Sequence, residues 1–215
     1  MTHVVLIDNQ DSFVYNLVDT FAVGGYRTTV LRNTVSVAEV LAAKPDLICL
    51  SPGPGHPATA GNMMELVAAV LGKIPILGIC LGFQALLEHF GGSVRPVGPV
   101  HGVTDNMTLT PAGMAAELFQ GLTVDAAPDA TTAGRLVPVA RYHSLGCTLD
   151  ETPSQLVPLG YTATAVGEVV MAASTTDQMA LGLQYHPESV LSPAGPVMLD
   201  RAIAMLTAAS SRGGA

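Results

Sequence analysis

The sequence predicts an α/β fold: an open, mostly parallel twisted sheet with helices on both faces, with added antiparallel strands in the second half. Three observations carry this. From His3 to Gly92 short apolar runs rich in Val, Ile and Leu alternate with stretches of helical period, the signature of a parallel sheet covered on both sides. Beyond residue 100 the alternation gives way to strand-like runs joined by short turns. Hydrophobic residues make up 49% of the 215 residues and charged ones only 12%, enough apolar material for a sizeable core.

The elements follow in order. "HVVLID" is a buried strand, and "FVYNLVDTFAVGG" is a helix ended by Gly24 and Gly25. "RTTVLR" is a strand. "SVAEVLAA" opens a helix with Ser36 and Glu39 at capping-box spacing. "DLICL" is a strand that runs into "SPGPGHP", too rich in Pro and Gly for regular structure. "GNMMELVAAVLG" is a helix, "IPILGI" a strand, and "FQALLEHF" a helix closed by Gly91 and Gly92. In the second half "GVTDNMTLT", "RLVPVARYH", "GEVVMAAST" and "MALGLQYHP" read as strands, "TTDQMA" as a hairpin connection and "MAAELFQG" as one short helix. The last helix is expected to start near Ser192, with Pro193 in its first turn. One domain over residues 1–208 is expected, with residues 209–215 a flexible tail.

The formal net charge is −8 and there is no basic cluster, which argues against nucleic-acid and anionic-membrane partners. The N-terminus "MTHVVLIDNQ" has no basic segment followed by a long apolar one, so a signal peptide is not expected. No apolar run is long enough for a membrane span. Cys49, Cys80 and Cys147 are too few and too irregularly spaced for a disulfide framework or a zinc site. A cytoplasmic protein is expected, with no metal.

Chemistry concentrates in three stretches. In "LGICLGFQAL" Cys80 stands at the end of an apolar run, flanked by Gly78 and Gly82. Glycines there permit a sharp strand-to-helix turn, and a helix N-terminus favours thiolate. A packed cysteine beside a glycine turn is an equal alternative on these residues alone. Cys49, inside "DLICL", is a core filler. Cys147, in "LGCTLD", is expected in a polar loop, partly exposed. Six histidines could serve a nucleophile; His186 in "LQYHPES" follows a strand, with Glu188 two residues on. "LSPGPGHP" offers backbone amides at Gly53 and Gly55 in a loop stiffened by Pro52, Pro54 and Pro57, a candidate oxyanion cradle.

These three stretches, in this order, resemble the class I (triad-type) glutamine amidotransferases, and the likeness covers nearly the whole chain. "LIDNQDSFVYNL", "HGVTDN" and "VARYHSL" narrow it to the amidotransferase subunits of chorismate-using synthases, with the anthranilate type favoured over the 4-amino-4-deoxychorismate type. The resemblance implies roles residue by residue. Cys80 matches the nucleophile, His186 the base and acid, and Glu188 the group that orients His186. The amides of Gly53 and Leu81 match the oxyanion hole. Gly53, Pro54, Gly55, Gln84, Ser144 and Leu145 match positions that hold L-glutamine, and His143 borders the same pocket.

It further implies a hetero-oligomer with a chorismate-binding synthase subunit (component I), no cofactor in this chain, and Mg2+ in that partner. Phe83 stands where histidine is usual, Val103 where lysine is usual, and Asp105 where a small polar residue is usual; the last two are departures in a loop expected to face the partner. Two other classes remain as alternatives, a stand-alone cysteine hydrolase and a non-catalytic docking subunit.

Overall fold

The computed structural model describes residues 1–127 and 133–213. Strands β1 (His3–Asp8), β2 (Arg27–Arg32), β3 (Leu47–Leu50) and β4 (Ile76–Ile79) are joined by helices α1 (Val14–Val23), α2 (Val37–Ala42) and α3 (Met63–Val70). Helix α4 (Leu81–His89) follows β4 after a single residue, Cys80. The second half adds the short β5 (Arg95–Pro96), β6 (Val103–Leu109), α5 (Pro111–Ala115), β7 (Leu136–Arg141), β8 (Leu145–Gly146), β9 (Leu156–Thr164), β10 (Gly167–Thr175) and β11 (Ala180–Leu183). Helix α6 (Gly195–Gly213) ends the described chain.

Nine strands form one sheet in the order β2-β1-β3-β4-β11-β10-β9-β6-β7. The first five are mutually parallel and the rest are antiparallel. Alternate residues of the parallel strands feed two cores. Val4, Leu6, Leu47, Leu77 and Leu181 face α1 and α6 through Leu17, Phe21, Met198, Leu199 and Ile203. Val5, Ile7, Ile48, Ile76 and Ala180 face α2, α3 and α4 through Val40, Leu66, Val67, Phe83 and Leu86. This is the period-2 alternation of a sheet buried on both faces. Ser36 caps α2 in the expected box, its side chain accepting from the Glu39 amide while Glu39 accepts from the Ser36 amide.

Four expectations need correction. Strand β9, "LVPLGYTAT", is a strand that the sequence pattern does not predict. Pro158 argues against a central strand, but β6 pairs with β9 only at Gly160 and Tyr161, so Pro158 lies beyond the doubly paired part. "MAAELFQG" is not one helix: α5 ends at Ala115 and a separate 3₁₀ turn covers Glu117–Phe119. Cys147 is fully buried, because the chain around it tucks under β10, with its carbonyl accepting from the Val170 amide at 3.0 Å. Helix α6 begins at Gly195, later than expected, and the tail expected from residue 209 is helical as far as Gly213. Residues 214–215 lie outside the described residues.

Candidate active site

Strand order creates the site. The chain leaves β1 towards β2 on one side and reaches β3 on the other, so a crevice opens at the carboxyl ends of β1 and β3. The segments after β1, β3, β4 and β11 converge there: Asn9, the "SPGPG" loop, Cys80, and the "QYHPE" segment.

The turn at Cys80 is built from glycine. Gly78 and Gly182 pair across β4 and β11, and the first turn of α4 presses on them. A Cβ at Gly78 would stand 2.6 Å from the Gly82 carbonyl oxygen and 2.8 Å from the Phe83 nitrogen. A Cβ at Gly182 would overlap Phe83 Cδ2 outright. Only bare backbone lets the helix start so close to the sheet. Cys80 itself adopts φ 51°, ψ −102°, a conformation side chains rarely adopt. It is anchored by its amide, which donates to the Leu183 carbonyl at 2.7 Å.

His186 follows β11, the strand beside β4. Its Nδ1–H donates to Glu188 Oε1 at 2.7 Å, which leaves Nε2 free of that bond, and Cys80 is near enough to act on the ring's protonation. Both side chains are nearly or fully buried. Burial alone would lower the imidazole pKa, but the hydrogen bonds and charges of Cys80 and Glu188 outweigh it and raise it. His186 therefore holds its proton more firmly than an ordinary histidine. Its ring is flanked by Phe13, with centroids 5.2 Å apart, and Tyr142, at 5.1 Å. Those two rings also touch each other at 5.1 Å. Glu188 Oε2 is buried with no partner among the described residues.

Gly53 lies against both Asn9 and Leu81. A Cβ there would be 2.6 Å from the Asn9 carbonyl oxygen and 2.8 Å from Leu81 Cδ2. Leu81 heads α4, and first-turn N–H groups of a helix have no intrahelical partner. The loop is held from below by Asn9, whose side-chain amide donates to the Ser51 carbonyl at 2.9 Å. His56 pairs with Glu88 of α4 at 3.1 Å, tying the far end of the loop to the helix that carries Cys80.

Gln84 and Leu145 meet: Gln84 Nε2 donates to the Leu145 carbonyl at 3.0 Å. Pro54, Gly55 and Ser144 are exposed, and no hydrogen bond joins their side chains to Cys80, His186 or Glu188. His143 is buried, and its Nδ1–H donates to the Leu145 carbonyl at 2.9 Å. Its Nε2 must then accept, and does so from Arg141 Nε at 3.3 Å. Burial, and next the Arg141 charge, push its pKa down to about 4, so His143 is neutral. Arg141 is in turn paired with Asp105 at 2.6 Å.

Cys49 is fully buried, and burial pushes its thiol pKa well up, with the Glu188 charge adding to the effect. It is inert by comparison. Two polar residues of the site were not singled out from the sequence. One is Asn9. The other is Gln184, fully buried beside Cys80 in the very stretch that carries His186.

Among the described residues no group of three or more His, Cys, Asp or Glu could hold a metal ion, and no helix is long and apolar enough to cross a membrane. A cavity of about 820 Å³ between α5, α6, β9 and β10 is lined by none of these site residues.

Comparison with known proteins bears on this geometry. The family model described as "Glutamine amidotransferase class-I" matches residues 5–205. "Anthranilate synthase component 2" of Corynebacterium glutamicum is 62% identical over 209 residues, 97% of this chain and 100% of that one. The protein of the same name from Halobacterium salinarum is 37% identical over 205 residues, 90% of this chain and 92% of that one. Among solved structures, a putative GMP synthase protein from Thermoplasma acidophilum superposes with a TM-score of 0.79 over 100% of this chain and 98% of that one. Its identity is 18%, so it bears on the fold alone.

Proposed function

The chain belongs to the class I glutamine amidotransferase family, and from that premise we propose that it is the amidotransferase subunit of an anthranilate synthase, hydrolysing L-glutamine and passing the ammonia to a chorismate-using partner. One observation carries the chemical part: a cysteine in a forced strand-to-helix turn stands beside a buried histidine that is itself bonded to a buried glutamate. The pathway part is supported by the 62% identity to a component 2 protein over its full length.

In this reading the Cys80 thiolate attacks the side-chain carbonyl carbon of glutamine, and the oxyanion is held by the amides of Gly53 and Leu81. His186, kept cationic by Cys80 and Glu188, gives its proton to the departing nitrogen, and ammonia leaves. His186, now neutral, takes a proton from water as the water attacks the thioester. Collapse releases glutamate and restores the thiolate–imidazolium pair. Gln84 and Leu145, with Gly53, Pro54, Gly55 and Ser144, hold the substrate.

These steps use only side chains and backbone amides of this chain; Mg2+ belongs to the reaction of the synthase subunit. Component 1 would cover the exposed edge around Val103, and the complex would work in the cytoplasm.

The test uses the complex with its synthase subunit. Cys80→Ser is expected to abolish anthranilate formation from glutamine and to preserve it from ammonia. A glutamine-like electrophile is expected to label Cys80 and spare Cys49. Equal loss with both nitrogen donors, labelling of Cys49, or a product other than anthranilate would overturn the proposal.

A further inference from the structure

We propose that Gln184 is a further catalytic residue, a buried amide whose N–H donates to Cys80 Sγ and favours the ionised nucleophile. The proposal rests on the reading of Cys80 as nucleophile and adds a group to its site.

The orientation of the amide follows from its neighbours. The Leu145 carbonyl oxygen can only accept, and both His143 Nδ1 and Gln84 Nε2 face it, at 2.9 and 3.0 Å. Gln84 therefore presents its NH2 end there. The same nitrogen stands 3.3 Å from Gln184 Oε1. With the oxygen of Gln184 fixed towards Gln84, its Nε2 must point the other way, where it meets Cys80 Sγ at 3.6 Å. Turning the Gln184 amide over would set NH2 against NH2 at Gln84 and a carbonyl oxygen against the sulfur. The chain of donors thus leaves one arrangement, read outward from a backbone carbonyl that cannot reverse.

The energetics single out the sulfur's charge state. Gln184 is 0% exposed, and its backbone is pinned by its amide donating to the Met171 carbonyl at 2.8 Å. A fully buried primary amide needs partners for both ends. A neutral thiol is a weak acceptor, whereas a thiolate accepts a charge-assisted bond. Gln184 Nε2 is thus better satisfied when Cys80 is ionised, which is the form that attacks. The other charged or dipolar groups beside the sulfur are His186, with Glu188 behind it, and the N-terminus of α4, which Cys80 caps. None of them is altered by changing Gln184.

The test measures the rate of iodoacetamide alkylation of Cys80 against pH in the full chain, with Cys49 and Cys147 shielded by complete burial. Gln184→Met keeps the volume and removes the donor. It is expected to raise the alkylation midpoint by roughly one pH unit and to lower the glutaminase kcat of the complex about tenfold, with KM within about threefold. Gln184→Asn is too short to reach the sulfur and should behave like Gln184→Met. An unchanged midpoint in Gln184→Met would overturn the assignment while leaving Cys80 as nucleophile. A normal glutaminase rate in Cys80→Ser would instead overturn the reaction itself.

Should Gln184→Met fail to fold, the wild-type chain gives the answer by NMR. The side-chain amide resonances of Gln184 are expected to shift through the Cys80 midpoint, and to stay flat in Cys80→Ala. Resonances that are flat in both would refute the donor role.

Discussion

Gly182→Ala is the sharpest probe of how the sheet delivers the nucleophile. The new methyl carbon would overlap Phe83 Cδ2 and stand 2.5 Å from Cε2 and 2.6 Å from Cγ. Ordinary carbon contacts lie near 3.5–4.0 Å, so the ring must retreat by about 1 Å or more. Phe83 is fully buried and sits three residues after Cys80, packed in the core between the sheet and α3 and α4. Overpacking of this kind costs about 1–3 kcal/mol, and the rigid surroundings place it near the upper end.

Phe83→Leu shortens the offending ring and should cost on the order of 1 kcal/mol by itself. In the double variant the leucine makes room for the methyl group, so its stability should resemble that of Phe83→Leu alone. The coupling between the two sites is then favourable by about 3 kcal/mol, the whole cost of Gly182→Ala alone. Urea unfolding followed by circular dichroism measures all four proteins, and glutaminase assay of each with the synthase subunit reports Cys80. Gly182→Ala should lose rate, and the double variant should recover part of it. Stability of Gly182→Ala within about 0.5 kcal/mol of wild type, or additive losses in the double variant, would refute the proposed contact between β11 and α4.

His143 should make stability fall in acid. Its folded pKa, about 4, lies below the ordinary 6.5, so between those values the unfolded chain binds a proton that the folded chain refuses. Its contribution is complete above pH 6.5 and is lost towards pH 4, by up to about 3 kcal/mol. Urea unfolding at about pH 7.5 and about pH 4.5 should show that extra loss in wild type and its absence in His143→Gln; parallel losses in both would contradict it. Asp105→Asn removes the partner of a buried Arg141, but Asp105 is itself 36% exposed. It should cost only about 1 kcal/mol and raise the glutamine KM about threefold through His143 and Leu145; an unchanged KM would sever that link. Phe13→Leu removes one of the two rings beside His186, and should lower the glutamine-dependent rate about fivefold while sparing the ammonia-dependent rate. Equal loss of both would point to a fault outside this site.

Much of this was legible in the sequence, because the parallel half is written in local signals. Val, Ile and Leu runs bounded by glycine, and a Ser36–Glu39 cap, specify elements with little tertiary help. The nucleophile turn was legible for the same reason, since Gly78 and Gly82 mark a close approach that any side chain would block. What escaped reading depends on long-range pairing. Strand β9 carries a proline that only its particular neighbours tolerate. Cys147 looked polar from its sequence neighbours and is buried by β10. Gln184 was hidden because an amide beside "YHPE" gains its meaning only from Gln84, a hundred positions away. Asp105 owes its role to the pairing of β6 with β7, at whose end Arg141 stands.

The backbone of Cys80, at φ 51° and ψ −102°, sets a conflict between thermal endurance and chemistry. A side chain held in so sparsely populated a region costs on the order of 1–3 kcal/mol, and glycine would adopt it more easily. Cys80→Gly should therefore fold at least as robustly as the native chain while having no nucleophile. Libraries screened for heat resistance alone would drift towards glycine at that one position and lose the enzyme. Only selection that demands nitrogen from glutamine can keep a sulfur in a turn the backbone would rather leave bare.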